Sequence, residues 1–164
     1  MPRTMEARKS GRVHVVRLDK GEPVLASLHE YVGRRKILGG SIVGLGALEA
    51  AEIGYFNPQR KGYDRTTVPE ARELLSLVGT ISRLDGAPFV HAHVTLAGPD
   101  HSVVGGHLFE ARVAVTGEFV IDEAPIASSR VLDDATGLKL LRFSEKPARP
   151  KPGRTTRGSA GRRK

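Results

Sequence analysis

"VPEARELLSLVGTISRLDG", residues 68–86, is the stretch on which the fold turns. Leu74, Leu75, Leu77 and Val78 fit a helical stripe and Pro69 suits a helical first turn, so periodicity by itself favours a helix. Asp85-Gly86 at its end is a hairpin signal. Beyond it three extended stretches follow, 89–96, 102–109 and 111–121, and "GLKLLRF", 137–143, closes the core as a last strand. Upstream, "RVHVVRL" (12–18) sets His14, Val16 and Leu18 on one face of a strand covered on at least one side. "GEPVLASLHEYVG" (21–33) predicts an amphipathic helix opening at Pro23 and stopping at Gly33, with His29 an ordinary boundary histidine.

"GGSIVGLGALEAAEIGYFNP" (39–58) alternates small and branched apolar residues and predicts one long bent strand ending at the Asn57-Pro58 turn. Gly44-Leu45-Gly46 within it is not a phosphate loop, since Glu49 stands where a dinucleotide fingerprint has its third glycine and no Gly-Lys-Ser/Thr follows. The chain has no Cys, which excludes disulfides, thiolate nucleophiles, iron–sulfur clusters and cysteine zinc sites; a metal would need His, Asp or Glu. Nothing marks a serine triad or a carboxylate pair. No apolar run approaches a bilayer span and the N-terminus lacks the apolar region of a signal peptide, so a cytoplasmic location is expected.

Four of the six histidines fall within residues 91–107. In the strand "FVHAHVTL" (89–96), His91 and His93 share a face with backbones about 7 Å apart. If the following loop centres near Pro99, the chain returns with His107 opposite His91 and Gly105 opposite His93, and the three imidazoles converge. His101 lies in the turn and is expected to be solvated. Three neutral imidazoles suit a divalent first-row metal, zinc first among them, and leave one coordination position for water or a ligand. His91, His93 and His107 are therefore the candidate metal ligands.

The net charge of +8 is concentrated at the ends. Residues 145–164 carry +7 and residues 1–12 carry +3, which leaves −2 for residues 13–144. The chain thus divides into a basic N-terminal arm (1–12), a mildly acidic domain (13–144) and a basic tail, "EKPARPKPGRTTRGSAGRRK" (145–164), whose lack of Leu, Ile, Val and Phe predicts disorder. Arg149, Lys151, Arg154, Arg157, Arg162, Arg163 and Lys164 in that tail are the candidate contacts to DNA phosphates.

The motifs "VGLGAL" (43–48), "ELLSLVGTI" (73–81), "HAHV" (91–94) and "GGHL" (105–108), in this order and spacing, make the chain from about Val13 to Phe143 resemble the plant and prokaryote conserved (PPC) domain family. The resemblance implies an α/β domain with a mainly antiparallel sheet and one or two helices packed on it, assembled as a homotrimer. It makes residues 73–81 a strand, which a continuous apolar run also allows. It maps the family's histidine motif onto His91, His93 and His107, where some members look like metal binders, and it carries the family's usual description as DNA-binding. The AT-hook core Arg-Gly-Arg-Pro of plant members is absent. The function expected on these grounds is a homotrimeric, nucleoid-associated DNA-binding protein with a metal site in its core. The alternative is a small metal-dependent enzyme or ligand-binding protein; the nearest analogue, a cupin-type oxygenase, would need a carboxylate where Thr95, Leu96, Ala97 and Gly98 stand.

Overall fold

A computed structural model describes residues 5–143. The 73–81 segment is a strand, part of β5, and the sheet dominates the chain. Among the described residues there are nine strands and one helix: β1 (Glu6–Ser10), β2 (Val13–Asp19), α1 (Val24–Arg35), β3 (Gly39–Asn57), β4 (Gly62–Val68), β5 (Arg72–Leu84), β6 (Ala87–Ala97), β7 (Val103–Ala124), β8 (Ser128–Asp133) and β9 (Leu138–Phe143). No helix is long and apolar enough to cross a membrane.

The strands run β1-β2-β7-β3-β5-β8-β9, with β4 paired to β3 and β6 bridging β5 and β7. All pairings are antiparallel except the single Arg83–Ser129 contact that hangs the β8–β9 hairpin on β5. Asp85 and Gly86, both at positive φ (50° and 81°), make the tight β5–β6 turn between Leu84 and Ala87. Residues 103–109 and 111–121 are not separate strands but parts of β7, which runs on through Glu110 although its pairing with β3 shifts register there, and the Glu110 carboxylate turns to α1. Its oxygens accept from the backbone N–H of Leu25 and Ala26 at 2.8 and 3.1 Å, satisfying donors that a helix start leaves open.

The helix does not stop at Gly33. It runs to Arg35 and ends on Lys36 at φ 56°, whose N–H donates to Gly33 O while that of Ile37 donates to Val32 O. Gly33 serves packing instead, since a Cβ there would come within 3.3 Å of Pro88 at the start of β6. The segment read as a basic N-terminal arm contributes Glu6–Ser10 to the sheet edge as β1, paired with Val13–Arg17.

The sheet bends along β3, whose register on β5 and β7 shifts near Gly46. There the backbone of Gly46 lies against Thr116 O, leaving no room for a side chain at its φ of 145°. One core fills the inner side, where Val24, Leu28 and Val32 of α1 join Ile42, Leu77, Val94, Phe119 and Ile121 from the strands. His14 is wholly buried beside it, with Nδ1 3.0 Å from the Tyr31 hydroxyl and Nε2 3.1 Å from Glu123. The ionised carboxylate only accepts, so Nε2–H donates to Glu123, and in the neutral ring the Tyr31 hydroxyl then donates to Nδ1.

The outer side carries a row of directly opposed residues across the sheet: Val15–Val120–Val43–Val78–His93–His107. Opposed residues share a face, and the four valines of the row are all exposed.

Candidate metal centre

His93 and His107 are direct partners on β6 and β7, and His91 stands two residues along β6 on the same face. The register differs by two residues from the one expected: His107 faces His93, and Gly105 faces Thr95. The turn is wider than a loop centred on Pro99, spanning Gly98–Ser102, with His101 exposed at φ 62° and the Gly98 N–H donating to Ser102 O. A two-residue shift leaves every side chain on its original face, so the three histidines still meet. One ring nitrogen from each lies within 4.8 Å of those of the other two, and the ring centres are 5.0 to 5.5 Å apart.

Two small residues make the approach possible. A Cβ on Gly105 would sit 2.6 Å from Val94 O, and one on Gly106 would sit 2.7 Å from Gly54 O. The "GGHL" glycines therefore let β7 close on β6 and β3 immediately before His107.

The surroundings keep His91 and His107 neutral. Burial, followed by the Arg130 guanidinium and the other two histidines, holds His91 down at about 4. Burial, then His93, Arg130 and Arg65, does the same for His107, also to about 4. Both thus present a free lone pair at neutral pH, as ligation requires. His107 Nδ1 is buried without a hydrogen-bond partner among the described residues, and a metal would satisfy such an orphaned nitrogen. The donor set fits a divalent first-row ion.

Aromatic groups and two arginines wall the site. The ring of Tyr63 lies 4.9 Å from that of His107, Phe109 packs edge-on at 4.8 Å, and Arg65 covers the outer face of Phe109 at 3.6 Å. Burial pushes the Tyr63 phenol up, against the opposing pull of Arg130. Arg130 reaches in from β8 and donates through Nη2 to His91 Nδ1 at 3.0 Å. Neither Tyr63 nor Arg130 is singled out by the sequence reading. Both sit on short strands, β4 and β8, that carry too little apolar alternation to stand out.

Of the other histidines, His29 lies on α1 and accepts the Val90 N–H at 2.8 Å, and burial lowers its proton affinity. It holds helix to strand and is remote in role from the cluster. Arg149, Lys151, Arg154, Arg157, Arg162, Arg163 and Lys164 lie outside the described residues.

Known structures share this arrangement of strands. A Bacteroides thetaiotaomicron protein provisionally described as DNA-binding is 30% identical, with a TM-score of 0.82 over 86% of this chain and 99% of that one. A plant- and prokaryote-conserved (PPC) protein from Pyrococcus horikoshii is 32% identical, with a TM-score of 0.75 over 87% of this chain and 97% of its own. A metal-containing protein from Archaeoglobus fulgidus is 36% identical, with a TM-score of 0.75 over 87% and 99% of the two chains. No curated protein matches the chain. The model of the Plants and Prokaryotes Conserved (PCC) domain matches residues 5–125, the span that holds the three histidines and the strands that converge them, and the chain belongs to that family.

Proposed function

We propose that this protein is a self-assembling DNA-binding protein that carries a divalent metal, zinc by preference, on His91, His93 and His107. The observation that carries the metal is the convergence of three ring nitrogens within 4.8 Å. The neutrality of His91 and His107 and the unpartnered His107 Nδ1 support it. When bound, such an ion offers one position to water or to an anion and polarises what it holds. The metal-containing relative from Archaeoglobus fulgidus supports the same reading.

Assembly is supported by the outer face. Val15, Val120, Val43 and Val78 form a continuous exposed row, flanked by exposed Leu45 and Leu75. An apolar strip across four strands suits burial against a second copy, and the family resemblance favours a trimer. DNA affinity is assigned to the tail, which carries +7 while residues 13–144 carry −2. Lys and Arg side chains that contact only the phosphate backbone read no sequence, so the affinity should be non-specific. The provisional description of the Bacteroides thetaiotaomicron relative points the same way.

The test is elemental analysis of the untagged protein and of His93→Ala, followed by a salt titration of DNA binding. About one metal per chain is expected in the wild type and none in the variant. Equal metal in both, or none in either after zinc loading, refutes the metal site.

A second reading, a metal-dependent enzyme or small-molecule binder, is favoured by one observation: a cleft of about 190 Å3 opens beside His91 and His107.

A further inference from the structure

The cleft beside the histidines is lined by Leu84, Phe89, Leu138 and Leu140 together with Tyr63, Arg130 and Lys139. Arg130 is firmly held there. Its Nε donates to Ser82 Oγ at 3.2 Å, Nη1 to Lys139 O at 3.2 Å, and Nη2 to Thr80 Oγ1 at 3.4 Å and to His91 Nδ1 at 3.0 Å. The guanidinium carbon also lies 5.2 Å from the centre of the Phe89 ring. Lys139, the neighbouring cation, pairs with Asp85 at 3.4 Å. Arg130 has no carboxylate partner among the described residues.

The bond to His91 has a consequence for the metal-bound protein. A guanidinium only donates, so His91 Nδ1 accepts and the ring hydrogen sits on Nε2. A metal on this ring needs a lone pair. If Nδ1 supplies it, the lone pair that Arg130 uses is taken. If Nε2 supplies it, the hydrogen moves to Nδ1 and two N–H donors face each other. Either way Arg130 loses its acceptor on His91 when the ring takes metal. An N–H of a fixed cation is then left beside a dication, at the end of an apolar cleft, and an anionic oxygen satisfies it.

We infer that the metal-loaded protein binds a small carboxylic acid here, its carboxylate accepting from Arg130 and its apolar body lying along Leu84, Phe89, Leu138 and Leu140. The inference rests on the metal reading above. The planar guanidinium matches a carboxylate, and four apolar walls favour an acid with a hydrocarbon body over an inorganic oxyanion. A cleft of about 190 Å3 lies below the roughly 300–1,000 Å3 of drug-sized pockets, which limits the ligand to about the size of benzoate.

The test uses the untagged full chain loaded with Co(II), whose visible spectrum reports its coordination, after cobalt content has been measured. Benzoate, its neutral isostere benzamide, and inorganic phosphate are titrated in turn. Benzoate should give a saturable spectral change, with benzamide and phosphate each about tenfold weaker or more. Arg130→Gln should weaken benzoate by about tenfold with cobalt stoichiometry unchanged, and Arg130→Lys should fall between the two. Benzamide or phosphate binding as well as benzoate overturns the inference, as does an Arg130→Gln protein that binds benzoate normally. If that variant fails to fold, the wild-type comparison of benzoate with benzamide decides alone. Cobalt bound without a benzoate response overturns this inference only, whereas failure of cobalt to bind overturns the metal reading and this inference with it.

Discussion

Val43→Glu should convert the assembly to monomers without unfolding the chain. Val43 stands at the centre of the outer row, opposed by Val78 on β5 and Val120 on β7, and is 50% exposed, with its row neighbours between 39% and 59%. Full burial of such a side chain is worth roughly 1.5–3 kcal/mol, so the half still exposed can contribute about 1 kcal/mol on association. A glutamate in its place forfeits that and adds about 3 kcal/mol for an unpaired carboxylate among apolar groups. The loss is then about 4 kcal/mol per protomer, or about 12 kcal/mol per trimer. At 1.4 kcal/mol per decade the trimerisation constant falls by eight to nine decades, and the concentration of half-association, its inverse square root, rises by about four. Within one chain the same change is at a half-exposed strand position and costs about 1 kcal/mol or less. Light scattering at micromolar concentration, with circular dichroism as the control for folding, reads both quantities. A folded Val43→Glu protein of unchanged mass would refute the placement of the interface, and a monomeric wild type would refute assembly itself.

Three further outcomes follow from the same geometry. His91 and His107 titrate at about 4 when folded and return to the ordinary value of about 6.5 when unfolded. Between those values the metal-free unfolded chain binds protons that the folded chain refuses. Its stability should therefore fall as pH drops from about 6.5 to about 4, with no contribution from this pair above that window. Urea midpoints across the range check it, and a midpoint that rises on acidification contradicts it. Tyr31→Phe removes the donor to the buried His14 Nδ1 and should cost about 1–3 kcal/mol in urea unfolding; no measurable change would mean that another donor reaches His14. Deletion of residues 145–164 should abolish most DNA affinity, with the full chain losing affinity steeply in salt, at a slope of about −0.9 per phosphate engaged. A truncated chain that binds as tightly, or prefers one of two unrelated duplexes, would place DNA recognition in the domain.

The strands that the sequence made legible are those with one covered face and a clear turn. "RVHVVRL" shows buried His14, Val16 and Leu18 in alternation, and the Asp85-Gly86 turn announces its hairpin. Residues 68–86 were ambiguous for a physical reason. β5 buries Leu74, Leu77 and Ile81 while exposing Leu75 and Val78, so both of its faces are apolar and the alternation that marks a strand is hidden. The exposed leucine and valine belong to the outer row, and if that row is an interface its purpose is not written into the local periodicity of one chain. Glu110 had the opposite effect, since a charge in mid-strand imitates a loop until the helix start it caps is known. The histidine cluster survived an error of two residues in register because strand faces repeat every two residues; an error of one would have dispersed it. Arg130 was out of reach, because the β8–β9 hairpin has a single backbone pairing with the sheet, Arg83–Ser129, and is otherwise seated by side-chain contacts such as Arg130 with Ser82 that no local pattern announces.

Both surfaces of the sheet are committed to different tasks. The inner one is spent on the core with α1, where Phe119 lies so close to Gly44 that a side chain there would collide with its ring. The proposed metal chemistry and association therefore both fall to the outer side, and there they share one line of residues. The row from Val15 to His107 crosses five strand spacings, about 24 Å, with four valines at one end and two metal-ligand histidines at the other. Val78 and His93 are adjacent members of it. A copy that covers the valines reaches to within one strand spacing of His93, and water is excluded from that flank of the histidines. The opposite flank is bounded by Arg130 and the β8–β9 hairpin, so the cleft along Phe89 and Leu138 is the approach that the proposed assembly would leave open. On the proposed reading, placing the site at the rim of the apolar row would leave a metal there sheltered on one side and accessible on the other.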